Sequence, residues 1–182
     1  MLEVRFHGRG GQGAVTASKM LALASFLSGE YVISFPFFGT ERRGAPVTAF
    51  TRIDTTPILL KTQVYNPDVV VVLDSKVMET VDVTAGMKPG SSLILNSPEA
   101  PEDLGLPYHV ATVDATRIAT DLGLGNRTNP IINTAMLGAF SKSTGLVDMT
   151  QVREAISEMS PSKAEVNVTA AEKAYSSVRI GW

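Results

Sequence analysis

The 182-residue sequence contains no cysteine. This absence excludes disulfide bonds, thiol nucleophiles and cysteine-ligated iron–sulfur clusters on this chain. Histidine is also scarce. With His7 and His109 as its only two histidines, the chain lacks the usual ligands of a zinc site. We therefore predict no metal site. We also predict no catalytic residues, because the sequence shows no convincing pairing of a nucleophile with a general base.

Long apolar runs and an excess of one charge are missing as well. No apolar run approaches the roughly 18 residues of a membrane span, and the formal net charge of -2 provides no field that would attract nucleic acid. The chain opens with a strand pattern rather than a signal peptide. We expect a cytoplasmic protein with no membrane or nucleic-acid partner, folded as a single domain over residues 1–182.

Glycine, by contrast, is concentrated near the amino terminus. Gly8, Gly10 and Gly13 fit the G-x-G-x-x-G spacing, and Gly11 lies inside it. A strand pattern over residues 2–6 precedes these glycines, and a helix pattern over residues 14–27 follows them. Such a turn brings backbone N–H groups close to a ligand, and the following helix presents unpaired donors to it.

This turn predicts an anion site, to which Arg9 adds a positive charge. The alternative is a close-packed turn without a ligand. An NAD site is disfavoured because no acidic residue clearly occupies the ribose-binding position about 20 residues further on. Glu30 lies near that distance but precedes the second strand pattern.

The remaining patterns predict a three-layer α/β/α, Rossmann-like fold with a mixed, mostly parallel sheet. Strand patterns cover residues 31–35, 47–53, 69–73, 92–96 and 108–113, the second of them antiparallel and 108–113 the last strand of the chain. Helix patterns cover residues 14–27, 115–122, 131–143, 150–159 and 163–178, and a further helix begins near residue 76.

A second unusual segment, Phe35–Pro46, combines three aromatic residues with Glu41, Arg42 and Arg43. It is either a loop packed by its own rings with solvated charges, or a preformed loop that holds two guanidinium groups. We favour the second interpretation, because the planar guanidinium matches carboxylate and phosphate groups.

Several polar residues have a structural interpretation that we favour. Asp74 suits a helix cap better than a ligand contact, and His109 a strand face better than catalysis. Asn129 is predicted to cap the helix over 131–143, with Pro130 in its first turn. Asn129 is also a candidate binding residue, whereas Asn133 is expected to bond local backbone.

Three segments resemble the gamma subunit of 2-oxoacid:ferredoxin oxidoreductases, most closely the pyruvate type (pyruvate synthase). They are RFHGRGGQGAVT at residues 5–16, FPFFGTERRGAPV at 35–47 and NTAMLGA at 133–139. The resemblance runs along the whole chain. It implies a complex that oxidatively decarboxylates a 2-oxoacid with thiamine diphosphate and Mg²⁺, passes electrons through [4Fe–4S] clusters to ferredoxin, and forms an acyl-CoA.

The resemblance also implies alpha, beta and delta subunits as partners, which carry the thiamine diphosphate and the clusters. This chain would then be a non-redox part of the assembly and inactive by itself. We hypothesise that it scaffolds the complex and contacts CoA. The candidate binding residues are Gly8, Arg9, Gly10, Gly11, Gln12, Gly13, Arg42, Arg43 and Asn129.

Two other interpretations stay open. The two conspicuous motifs could be surfaces for docking other subunits, or the chain could be a free-standing Rossmann-like nucleotide-binding module.

Overall fold

The computed structural model describes residues 1–37, 44–126 and 128–182. Its strands are β1 (Leu2–Arg9), β2 (Tyr31–Phe37), β3 (Pro46–Asp54), β4 (Val69–Val72), β5 (Ser92–Asn96), β6 (His109–Val113), β7 (Gly125–Asn126), β8 (Asn129–Pro130) and β9 (Arg179–Ile180). Its α-helices are α1 (Ala14–Leu27), α2 (Ala115–Asp121), α3 (Asn133–Thr144), α4 (Met149–Met159) and α5 (Ala164–Ser177). None of the helices within these ranges combines the length and the apolar character needed to cross a bilayer.

A seven-stranded sheet has the order β2-β3-β1-β4-β5-β6-β9. Strands β1, β4, β5 and β6 run parallel to one another. Strands β2 and β3 extend the sheet at one side in antiparallel fashion, and β9 closes the other side antiparallel to β6. The predicted mixed sheet and the antiparallel β3 are therefore confirmed.

The α-helices pack on one face of this sheet. Apolar residues of all five belong to a single core with Val4, Phe6 and Val71 from the strands. A smaller core covers the other face, where Val70, Val72, Leu93 and Leu95 meet a 3₁₀ helix, Ser75–Glu79, and connecting segments. The helix expected near residue 76 is this 3₁₀ helix. Its sequence continues into β-branched residues and Gly86, which favour a short element.

Two predictions in the carboxyl-terminal half are wrong. Helix α3 begins at Asn133 with Ile132 as its N-cap, so Asn129 does not cap it and Pro130 is not in its first turn. Both residues form β8, which pairs antiparallel with β7. The pattern over 108–113 is also not the last strand, because the chain returns after α5 and adds β9 beside β6.

The amino-terminal unit follows its prediction closely. Helix α1 has the predicted bounds. Strand β1 continues three residues beyond the predicted end at Phe6, because Gly8 pairs with Val47 and Arg9 with Pro46 of the neighbouring β3.

Two buried arginines of the sheet bind main-chain oxygens of the irregular segments 60–64 and 83–85. The guanidinium of Arg5 donates hydrogen bonds to the carbonyl oxygens of Val64, Val83 and Ala85, at 3.3, 2.9 and 2.6 Å. Arg52 is 1% exposed. It forms an ion pair with Glu3 at 2.8 Å and donates to three carbonyl oxygens between residues 60 and 63. Both side chains therefore satisfy backbone acceptors that would otherwise be desolvated without partners.

His7 lies on the same strand as Arg5 and is 4% exposed. Its Nε2 atom has no hydrogen-bond partner within the described part of the chain. Burial lowers the pKa of His7 to about 4; the nearby Arg5 charge adds to this effect and Asp82 opposes it. The native state therefore favours a neutral imidazole.

We predict that His7 makes the protein sensitive to mild acid. Its folded-state pKa lies below that of the unfolded chain, so its contribution to stability is complete above about pH 6.5 and is lost as the pH falls towards 4. The loss amounts to about 3 kcal/mol at pH 4. Urea unfolding of His7→Phe across this range should show a shallower decline than wild type. His109→Phe, on an exposed residue, is the control and should retain the wild-type decline. Equal declines for all three proteins would contradict the prediction.

Candidate functional site

The carboxyl ends of the parallel strands open into a cavity of about 870 Å³. A polar residue at or after the end of each of these four strands lines the cavity. Arg9 ends β1, Asn96 ends β5, Asp114 directly follows β6, and Asp74 follows β4 after Leu73. The β7–β8 hairpin contributes Asn126, Thr128 and Asn129 to the lining. Open α/β sheets bind their ligands at this edge.

The glycine turn between β1 and α1 supplies one side of the cavity. Gly11 and Gly13 have φ values of 98° and 88°, which let the chain reverse within four residues. The N–H of Gly10 donates to Ala45 O at 3.0 Å, and that of Gln12 to Arg9 O at 3.1 Å. These bonds fix the path of the turn.

Helix α1 begins directly after this turn. Within the described residues, no side chain caps its amino end and no acidic residue lies in its first turn. By contrast, Asp114 caps α2 through Arg117 N, and Asp74 caps the 3₁₀ helix through Lys76 N. The first N–H groups of α1 therefore have no side-chain partner among the described residues, the situation in which helix amino ends bind anions.

Gln12 connects the turn to the end of β4. Its Oε1 accepts a hydrogen bond from the backbone N–H of Arg9 at 2.8 Å, and its Nε2 donates to Asp74 Oδ2 at 2.8 Å. The Nε of Arg9 lies 3.3 Å from the same carboxylate oxygen. Arg9, Gln12 and Asp74 thus form one polar network that joins the glycine turn to the segment after β4.

Two glycines of the motif have packing roles. A Cβ atom on Gly8 would lie 3.2 Å from Ala14 Cβ and 3.4 Å from Leu73 Cβ. A Cβ atom on Gly13 would lie 2.9 Å from the side-chain nitrogen of Asn133. These glycines therefore let α1 approach β1, β4 and α3 closely.

Asn133 is buried, and its side-chain oxygen accepts a hydrogen bond from Thr134 N at 2.9 Å. It bonds local backbone, as predicted, and in addition supports the glycine turn. His109 is exposed on β6, where its ring stacks on Trp182.

The structure brings most of the predicted binding residues to one place. Arg9, Gly10, Gly11, Gln12 and Asn129 line the cavity, whereas Gly8 and Gly13 are not among the residues that line it. Arg42 and Arg43 lie outside the described residues.

Sequence reasoning missed several residues of the cavity lining. Asp74 is the helix cap that the sequence predicts, and it also lines the cavity, as does Asp114, which caps α2. No sequence pattern indicates that Lys76, Asn96 and Thr116 line the same cavity. The signal that could have found Asp74, Asn96 and Asp114 is their position at the end of a buried strand.

The polar edge shows no composition suited to a metal. Among residues 1–37, 44–126 and 128–182, no group of three or more histidine, aspartate or glutamate side chains could hold a metal ion. Asn96 is engaged internally, because its amide donates to Leu73 O and Thr116 Oγ1, both at 2.9 Å. Among the described residues, the lining combines the cationic side chains of Arg9 and Lys76 with the carboxylates of Asp74 and Asp114.

The family model described as pyruvate ferredoxin/flavodoxin oxidoreductase matches residues 3–177. This chain belongs to that family. It is 57% identical to the Pyruvate/ketoisovalerate oxidoreductases common subunit gamma of Thermococcus kodakarensis, over 96% of each chain. It is 50% identical to the Pyruvate synthase subunit PorC of Methanocaldococcus jannaschii, again over 96% of each chain.

A solved structure of a pyruvate oxidoreductase subunit is also similar to this chain. The crystal structure of the pyruvate oxidoreductase subunit PORC from Thermotoga maritima matches with a TM-score of 0.85 and 35% identity, over 100% of this chain and 98% of that one. The chain is thus a gamma subunit of a multi-subunit pyruvate or 2-oxoacid ferredoxin oxidoreductase, an enzyme that acts on an oxo group. The resemblance inferred from the three motifs is confirmed.

We predict that Gly13→Ala destabilises the protein more than Gly11→Ala. Both substitutions place a side chain at positive φ, which costs about 1–2 kcal/mol. Gly13 also has a close neighbour, Asn133, whereas no described residue lies within 4 Å of a Cβ on Gly11. Urea unfolding of both variants measures the difference. The double variant Gly13→Ala/Asn133→Ala should recover part of it, and equal losses at the two glycines would refute the predicted collision.

Proposed function

We propose that this gamma subunit contacts CoA in a complex that oxidatively decarboxylates a 2-oxoacid, with pyruvate the leading candidate. The observation that supports the proposal is the amino end of α1, which has no side-chain cap within the described residues and follows Arg9–Gln12 of the cavity lining. The pyrophosphate of CoA would lie over the glycine turn. The cavity of about 870 Å³ falls within the range of about 300–1,000 Å³ that is usual for small-molecule sites.

The energetic contributions favour a diphosphate ligand. A negative group at a helix amino end gains about 0.3–1 kcal/mol from the helix dipole. A hydrogen bond to a charged group such as the Arg9 guanidinium adds about 1.5–3 kcal/mol before competing interactions are counted. Lys76, which also lines the cavity, supplies a second positive charge. Arg42 and Arg43 are candidates for further contacts, as the sequence motif suggests.

The reacting groups of the complex would belong to other chains. The lack of cysteine agrees with [4Fe–4S] clusters on the beta and delta subunits and with thiamine diphosphate and Mg²⁺ on alpha and beta. No residue of this chain is proposed to make or break bonds. Its role would be to position CoA and to scaffold the alpha, beta and delta subunits, with ferredoxin as the acceptor of the complex.

The proposed contact between Arg9 and CoA is testable in a reconstituted complex. Arg9→Gln should raise the apparent KM for CoA about 5- to 20-fold, because one charge-assisted contact is lost and the Arg9–Asp74 pair already offsets part of its value. The turnover number at saturating CoA should change little, since the residue contacts no reacting atom. Steady-state kinetics with varied CoA measure both parameters.

Arg153→Gln is the matched control for this experiment. Arg153 is a partly exposed arginine of α4, paired with Glu172 at 2.7 Å, and it is absent from the cavity lining. Its substitution removes the same charge and should leave the KM for CoA unchanged. An unchanged KM in Arg9→Gln would eliminate the CoA role.

The competing interpretation makes the glycine motif a docking surface. Arg9→Gln should then weaken assembly and leave CoA saturation as it was, which size-exclusion chromatography of the complex would reveal. The free-standing nucleotide-binding module is not favoured, because the relatives named as oxidoreductase subunits match nearly the full length of the chain.

A further inference from the structure

Arg9 already has an anionic partner in the structure. Its Nε lies 3.3 Å from Asp74 Oδ2, and the two side chains are 36% and 17% exposed. The backbone N–H of Arg9 is also engaged, because it donates to Gln12 Oε1 at 2.8 Å. Gln12 in turn donates to Asp74 Oδ2 at 2.8 Å. The Nε of Arg9 is therefore paired directly with the Asp74 carboxylate, and the backbone N–H of Arg9 is linked to it through Gln12. Both are donors that an anionic ligand could otherwise use.

The second oxygen of Asp74 is held from another direction. Asp74 Oδ1 accepts a hydrogen bond from Lys76 N at 3.0 Å, so the carboxylate is anchored to the 3₁₀ helix that follows β4. An anion that binds the Nε of Arg9 must compete with a carboxylate that is part of the chain and cannot diffuse away. A competing internal contact lowers the apparent affinity for the ligand by the fraction of molecules in which the contact is broken.

We propose that Asp74 is the affinity-setting residue of this site: it is a resident counter-anion that occupies Arg9 until a phosphate-bearing ligand displaces it. The proposal rests on the proposed function in that it takes the cavity to bind a polyanion. It adds that the chain itself weakens this binding, so that the ligand leaves readily after each turnover.

An organising role for Asp74 predicts the opposite sign. If the carboxylate served only to hold Arg9 and Gln12 in a binding-ready position, its removal would lower the affinity for anions. If it competes with the ligand, its removal raises that affinity. The sign of one measured change therefore separates the two roles.

The experiment uses the reconstituted complex, saturated with thiamine diphosphate and free of CoA, with inorganic pyrophosphate as the probe. Isothermal titration at constant ionic strength compares wild type with Asp74→Asn and Asp74→Ser. Both replacements retain a helix-capping oxygen but no charge. Each should bind pyrophosphate about 3- to 10-fold more tightly, because the internal competitor and its repulsion of the ligand disappear. Weaker or unchanged binding in both variants, or no detectable binding at all, would overturn the proposal.

Three further variants test whether the effect passes through Arg9. Asp74→Glu restores the charge and should return the affinity to within about 2-fold of wild type. The double variant Arg9→Gln/Asp74→Asn should gain less over Arg9→Gln than Asp74→Asn gains over wild type, because only the loss of repulsion remains. Asp114→Asn removes a carboxylate that also caps a helix and also lines the cavity; it should give a smaller gain than Asp74→Asn. An equal gain would mean a general effect of charge and would contradict the specific role of Asp74.

The same variants distinguish this proposal from the CoA assignment. If pyrophosphate binds more tightly to Asp74→Asn while the KM for CoA does not respond to Arg9→Gln, the role of Asp74 stands and the CoA assignment fails. If the KM for CoA responds to Arg9→Gln but pyrophosphate binding does not tighten in Asp74→Asn, the CoA assignment stands and the counter-anion role fails.

Discussion

The pairing of β1 on both of its edges is the constraint on which the site depends. Strand β1 is held antiparallel by β3 and parallel by β4, so neither its position nor its end can shift independently. Its alternating side chains add to this restraint, because Phe6 belongs to the core beneath the helices and Arg5 binds connections on the opposite face. The glycine turn must therefore start at Arg9, and the amino end of α1 must lie at the carboxyl edge of the sheet.

This placement leaves the amino end of α1 without a capping side chain within the described residues. Helix α3, whose N-cap Ile132 lines the cavity, also lacks a side-chain cap, whereas Asp114 caps α2 and Asp74 caps the 3₁₀ helix. The charge that complements the site is supplied internally by Asp74, at the end of the adjacent parallel strand. Two neighbouring strands thus contribute opposite charges to the same opening. Since both arise from strand ends, the electrostatics of the cavity follow from the topology of the sheet.

Sequence patterns predicted correctly those helices and strands whose ends are marked by nearby residues such as glycine. The bounds of α1 followed from the glycines before Ala14 and from Gly29 after its last turn, and the strands followed from their β-branched runs. Asn129-Pro130 carries the same local signal as a helix start, yet it pairs with β7 through Gly125. The Arg9–Asp74 pair joins residues 65 positions apart, so no local pattern could have revealed it. Arg42 and Arg43 stay predictions.

Arg5 and Arg52 hold main-chain oxygens of the connections that cross the sheet. A hydrogen bond to a main-chain carbonyl oxygen does not depend on which side chain that residue carries. The hydrogen bonds that hold residues 60–64 therefore do not depend on which side chains these residues carry. Leu60, which is 44% exposed, is free to be replaced, whereas Val64 is buried at 2% exposure. Homologous assemblies could exchange the outward groups of this segment, and so change what it touches, without disturbing the scaffold underneath.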